Sequence, residues 1–183
     1  MTDMPERRML GLPVWRWQAL SYMIAALGAL GVVFGVYQYF QQLEANRARE
    51  TLSMIEMWET RDYRENFAEL RQDMLEYWAA VPPGDIEFAR TNPNAAANLR
   101  DAFFRSVIDE NSEKSKRFER IVYFYNRLGL CIKASLCSAA TARIFFADPL
   151  NSFRSNFEPR LEAERKVLPG YANGVLLLKD ALR

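Results

Sequence analysis

The sequence predicts an all-α protein in which one N-terminal transmembrane helix continues into a small helical bundle. Trp17–Phe40 is an uncharged apolar stretch of 24 residues. Beyond it, apolar side chains recur at helical spacing, and no stretch alternates long enough to indicate a strand. We therefore divide the chain into an N-terminal leader (1–16), a transmembrane helix (17–40) and an α-helical soluble domain (41–183).

The uncharged stretch has the length and the flanks of a membrane anchor. A helix of that length spans about 36 Å, and the hydrocarbon core of a bilayer is about 30 Å thick. The aromatic residues expected at membrane–water boundaries stand at its two ends: Trp15, Trp17, Tyr37, Tyr39 and Phe40. A cleaved signal peptide is disfavoured because the small residues of a cleavage site are missing after the stretch. The partner of this helix is the lipid bilayer.

Gln41–Thr60 contains neither Pro nor Gly, so we predict that the first helix runs on to about Glu59. A second helix is predicted to end at the Val81-Pro82-Pro83-Gly84 breaker. We expect Asp85–Asn94 to be a loop with at most one helical turn. Asn94 would then cap a helix that runs to about Asp109.

A central core helix follows, with its apolar stripe at Phe118, Ile121, Val122, Tyr125, Leu128 and Ile132. The chain is expected to turn at Lys133–Cys137 and to be helical over Ala139–Ala147. Asp148-Pro149 is typical of the start of a new helix, and breaks are expected at Pro159 and at Pro169-Gly170. A short final helix would pack Val175, Leu178 and Leu182 on the bundle.

Composition excludes several kinds of reaction centre. The chain has no histidine, which rules out a Ser-His-Asp or Cys-His centre and di-iron Glu-x-x-His sites. No EF-hand or glycine-rich phosphate loop is present. The 24 basic and 23 acidic residues nearly balance, so no strong basic field indicates nucleic acid. We name no catalytic, cofactor-binding or metal-ligating residue, and carboxylate sites for Mg²⁺ or Ca²⁺ remain open.

Three residue sets have both a structural and a functional interpretation. The carboxylates of the first two helices alternate with Arg61, Arg64 and Arg71, which favours a solvated, ion-paired face: Glu56, Glu59, Glu65, Glu69, Asp73 and Glu76. The aromatic and methionine residues, Trp58 and Tyr125 among them, favour core packing over a ligand pocket. Cys131 and Cys137 form a disulfide in an oxidising compartment or stay as two buried thiols in the cytoplasm.

Small residues recur along one side of the anchor, at Ser21, Gly28, Gly31 and Gly35. Ser21, Gly28 and Gly35 are seven residues apart, and Gly31 and Gly35 form a small-xxx-small pair. Small side chains let membrane helices approach closely, so this face is our candidate for packing against another membrane protein or a second copy.

The run YQYFQQLEANRARETLSMIEMWETRDYRENFAEL (37–70), with Trp58, Tyr63, Arg64 and Glu65, resembles a family of bacterial membrane-anchored helical proteins known as domain of unknown function number 4760. A second block, RIVYFYNRLGLCIKASLCSAATARIFF, is similar to the family around Asn126 and Gly129, although Arg127 and Leu128 replace an acidic pair. The resemblance implies an anchored helical fold whose domain faces the cytoplasm. The positive-inside rule favours the opposite orientation, because three arginines precede the anchor and two, Arg47 and Arg49, follow it.

These observations favour a non-enzymatic interaction module in the cell (inner) membrane, either an accessory subunit of a membrane complex or a tethered adaptor, with its domain in the cytoplasm. The alternative is a membrane-attached enzyme or effector that uses carboxylates and a divalent metal. A third interpretation is an effector that perturbs the bilayer, which one apolar span does only after it oligomerises.

Overall fold

The computed structural model describes residues 8–9, 12–108 and 112–182, and side chains from Leu20 onward. The fold is all-α, as predicted, apart from one short pair of strands near the N-terminus. The helices of the described chain are α1 (Val14–Thr60), α2 (Tyr63–Ala80), α3 (Pro83–Thr91), α4 (Pro93–Val107), α5 (Glu113–Lys133), α6 (Ala139–Val167) and α7 (Asn173–Ala181). Two two-residue strands, β1 (Arg8–Met9) and β2 (Leu12–Pro13), pair antiparallel before α1. Leader residues 14–16 belong to α1, whereas residues 1–7 and 10–11, and the side chains of Trp15 and Trp17, lie outside the described residues.

Helix α1 is continuous past Phe40 and ends at Thr60, as the run without Pro or Gly predicts. The chain divides into two compact units, Met1–Ala45 and Asn46–Arg183, and the boundary between them falls inside α1. The second unit holds the hydrophobic core.

Helix α5 is the central core helix that its apolar stripe predicts. Five stripe residues are buried, and Ile132 at the end of the stripe is partly exposed. The largest core side chains come mainly from α5 and α6: Phe118, Phe124, Tyr125, Phe146, Phe153 and Phe157. Rings from the two helices pack directly, as in the Phe118–Phe157 pair with centroids 5.2 Å apart.

The predicted loop at Asp85–Asn94 is wrong, because α3 occupies most of it. Pro83 stands in the first turn of α3, where its missing N–H has no intrahelical partner to lose. The predicted cap at Asn94 is also wrong by two residues. Asn92 caps α4, and its side-chain oxygen accepts hydrogen bonds from the backbone nitrogens of Asn94 (3.0 Å) and Ala95 (3.2 Å).

The predictions of a new helix at Asp148-Pro149 and of a break at Pro159 are wrong as well, because both prolines lie inside α6. A proline inside a helix removes a backbone hydrogen bond and costs about 3 kcal/mol. The apolar side of α6 offsets that cost with buried Leu150, Phe153, Phe157 and Leu161. The break at Pro169-Gly170 is confirmed, and α7 follows it with Val175, Leu178 and Leu182 buried.

Helix α7 docks on α5 through two glycines. A Cβ atom added to Gly129 would lie 1.8 Å from the carbonyl oxygen of Gly174, so the two backbones touch. The Gly174 amide donates a hydrogen bond to the side-chain oxygen of Asn126 (2.6 Å), which satisfies a first-turn donor of α7. Ala172 precedes the helix in the left-handed region, at φ 52°. Asn126 and Gly129, two residues of the second resemblance block, therefore fix α7 in place.

Candidate functional site

The apolar segment of α1 is fully exposed in the structure. Its most apolar window has a mean hydropathy of 1.9, and none of that window is buried among the described residues. The helix is long and apolar enough to span a membrane.

The predicted small-residue face lies within this exposed segment. A Cβ atom added to Gly28, Gly31 or Gly35 would meet no described atom within 4 Å. Ser21 stands on the same stripe, and its side chain is exposed. The face has room for the backbone of another helix.

Two carboxylates of α2, Glu69 and Asp73, form ion pairs, as the ion-paired-face interpretation expects, but their partners come from another helix. Arg117 of α5 contacts Glu69 (2.7 Å) and Asp73 (3.6 Å), and Lys114 also contacts Asp73 (3.3 Å). These ion pairs connect α2 to α5. Among the described residues, no group of three or more Cys, Asp or Glu could hold a metal ion.

Most of the predicted aromatic set belongs to the core, and Trp58 lies at its centre. Its indole packs on rings from α2, α5 and α6: Tyr63, Phe67, Phe124, Tyr125 and Phe146. The Tyr125 hydroxyl is buried without a hydrogen-bond partner among the described residues. Loss of solvation raises the pKa of this phenol. Trp78, Tyr123 and Phe145 differ from the rest of the set, because each leaves more than a third of its surface exposed.

Cys131 and Cys137 form a disulfide, with Cα atoms 5.3 Å apart, which resolves the pairing that the sequence leaves open. The loop that it closes docks on α1. Arg47 Nε donates a hydrogen bond to the Ser135 carbonyl (2.9 Å), and the Ser138 amide donates to Thr51 Oγ1 (2.8 Å). Thr51 is fully buried. Sequence reasoning missed this role, because a single threonine in a helix carries no pattern.

The described residues form two cavities with basic linings between the helices of the bundle. The first, which we term the α3 pocket, has a volume of about 340 Å³ and is lined by Trp78, Ile86, Ala89, Arg90, Ala96, Leu99, Arg100, Phe103, Ser155, Asn156 and Pro159. The second has about 350 Å³ and is lined by Arg143, Ala147, Asp148, Leu150, Asn151, Arg154, Lys179 and Leu182. Neither was expected from the sequence, because the first combines residues of α2, α3, α4 and α6, and the second depends on how α7 folds back against α6.

Comparison with known protein families gives a match to a domain of unknown function, DUF4760, over residues 25–170. The match includes most of the apolar segment, Trp58, the Asn126–Gly129 stretch and both cysteines. Comparisons with curated proteins and with solved structures give no match.

Proposed function

The chain belongs to the DUF4760 family, and on that premise we propose that it is a membrane-anchored interaction module, working as an accessory subunit of a membrane complex or as a tethered adaptor. It associates through the small-residue face of its apolar helix, either with another membrane protein or with a second copy. The observation that carries the proposal is the open space at Gly28, Gly31 and Gly35 on an exposed apolar helix.

The physics of helix association in lipid supports this function. Lipid tails are as apolar as leucine, so burial of apolar surface gives no net gain there. Association then depends on close backbone contact, which glycine permits and larger side chains prevent. At 3.6 residues per turn, Gly28, Gly31 and Gly35 stand on one side of the helix.

Gly31→Leu together with Gly35→Leu is expected to disrupt association while the helical domain stays folded. Each leucine holds the facing backbone away, so the close contacts are lost. Crosslinking in native membranes and co-purification in mild detergent measure the effect. The matched control is Ala26→Leu with Val33→Leu, two exposed positions on the opposite side of the helix, which should leave association unchanged.

Circular dichroism and retention in the membrane fraction check that both double variants fold and insert. If association survives the glycine substitutions, the interaction surface lies on the helical domain instead. An activity in partner-free protein that is lost on Glu65→Gln would instead support the metal-dependent enzyme.

The side of the membrane is a separate part of the proposal. The family resemblance implies a cytoplasmic domain, but a disulfide rarely persists in a reducing cytoplasm. The Cys131–Cys137 bond and the arginine excess before the apolar segment both support the oxidising side. We therefore favour a helical domain on the oxidising side of the cell membrane.

We expect mass spectrometry of protein alkylated directly in cells to find Cys131 and Cys137 joined. A second measurement uses Ser53→Cys, an exposed position, in a Cys131→Ser, Cys137→Ser background. A membrane-impermeant maleimide should label it in intact cells. If both cysteines are found alkylated and the Ser53→Cys variant is not labelled, the domain lies in the cytoplasm.

A further inference from the structure

We propose that the α3 pocket binds an anionic amphiphile, a small molecule with one carboxylate or phosphate head and an apolar body. Its volume of about 340 Å³ lies in the range of small-molecule sites, about 300–1,000 Å³. Four helices, α2, α3, α4 and α6, contribute to its lining. This inference is independent of the small-residue face, which lies in the other compact unit.

The body of the ligand would contact an apolar wall. Trp78 of α2 stacks on Phe103 of α4, with centroids 5.5 Å apart and planes 24° apart. Trp78 keeps 38% of its surface exposed, so part of the indole remains available to a ligand. Ile86 and Leu99 extend the wall.

Helix α3 contributes three residues to the lining of this pocket. None of its residues is buried, and so it adds nothing to the core. Two of its apolar residues, Ile86 and Ala89, line the pocket and stay partly exposed, whereas Phe88 is exposed outside the lining. A bound ligand would shield these side chains from water, and this burial would stabilise the packing of the nine-residue helix against α4.

The charges of the pocket select the head group. Among the described residues that line it, the charged ones are Arg90 and Arg100, one on α3 and one on α4, and no carboxylate accompanies them. Arg90 pairs with Glu87 (3.0 Å), but both side chains are about 70% exposed, so this ion pair is weak and exchangeable. The guanidinium fork matches a carboxylate or a phosphate in two-point hydrogen bonding.

In the second cavity, by contrast, carboxylates already neutralise basic side chains of the lining. Asp148 is part of its lining, and Glu158 contacts two of the three cations that line it, Arg154 and Lys179. Hydrogen bonding to Arg154 lowers the pKa of Glu158, which keeps that carboxylate charged. An anion would compete with a carboxylate already in place, so the α3 pocket is the better anion site.

Two sources could supply the ligand, a single-tailed lipid acid from the bilayer or a free aromatic acid from solution. The test uses the full chain in nanodiscs of zwitterionic phosphatidylcholine and a dodecanoate that carries a photoreactive diazirine in its tail. After irradiation, mass spectrometry maps the labelled residues. We expect labelling to concentrate on α3 and α4, at residues that line the pocket.

Arg90→Gln with Arg100→Gln should lower this labelling about tenfold, because the charge-assisted hydrogen bonds to the head are lost. Arg71→Gln, at an exposed arginine of α2 outside the pocket, should leave it unchanged. Ala96→Trp, which fills the cavity, should abolish labelling while the circular dichroism spectrum is retained. Equal labelling by the matching diazirine dodecanol, or labelling that survives loss of both arginines, would overturn the proposal.

Competition distinguishes the two sources. Displacement by lysophosphatidate but not by 2-naphthoate assigns the site to lipid acids, and the reverse assigns it to soluble aromatic acids. Displacement by both means that the site recognises the shared chemistry. If neither these competitors nor unlabelled dodecanoate displaces the probe, the site is not an anion site.

Discussion

Replacing Gly129 by alanine is expected to destabilise the helical domain by about 3 kcal/mol or more. The new methyl group would lie 1.8 Å from the carbonyl oxygen of Gly174, and a backbone atom cannot move aside as a side chain can. Alanine returns roughly 1 kcal/mol of helix propensity, which is smaller than the cost of separating two helices. Because α7 would shift, the hydrogen bond from Gly174 to Asn126 would also be lost.

Urea unfolding of the detergent-solubilised chain, followed by far-UV circular dichroism, measures the loss. Gly84→Ala is the matched control, because a Cβ atom at Gly84 meets no described atom within 4 Å. This variant should be neutral or slightly more stable. An unfolding midpoint for Gly129→Ala equal to that of Gly84→Ala would show that α5 and α7 are not in backbone contact.

The prolines show where local sequence signals predict the helix boundaries of this chain and where they do not. Pro169-Gly170 ends a helix as predicted. Pro83 opens a helix that the sequence did not predict, and Pro93 opens α4, whose cap was predicted two residues too late. Pro149 and Pro159 were expected to start and to break a helix, yet α6 runs through both. Tertiary burial outweighs the local penalty there, because four large side chains on one side of α6 enter the core. Periodicity predicted α5 well for the same reason, since its buried stripe is long and unbroken.

The candidate sites divide in a similar way. The apolar segment and its glycines can be found from composition alone, because length and charge decide whether a helix is able to cross a bilayer. The α3 pocket could not be found, since Arg90 and Arg100 look like ordinary surface arginines until α3 and α4 are placed side by side. The disulfide is an intermediate case. A separation of six residues in the sequence permits the bond, but only the folded turn around Ser135 brings the two cysteines together.

Replacing Trp58 by alanine is expected to cost about 3–5 kcal/mol, a large share of the stability of a domain this size. The indole is 7% exposed and contacts rings from three other helices, so its removal leaves a cavity that no neighbour can fill alone. Trp58 is also the residue through which α1 enters the aromatic core. Its loss should therefore loosen the attachment of the bundle to α1.

Urea unfolding should show this loss, and Trp78→Ala is the matched control. Trp78 is 38% exposed and packs on fewer rings, so its removal should cost clearly less. Retention in the membrane fraction should stay unchanged for Trp58→Ala, because the apolar segment lies in the other compact unit. A stable but released protein would mean that the bundle contributes to attachment. An unchanged unfolding midpoint would mean that the core does not depend on this indole.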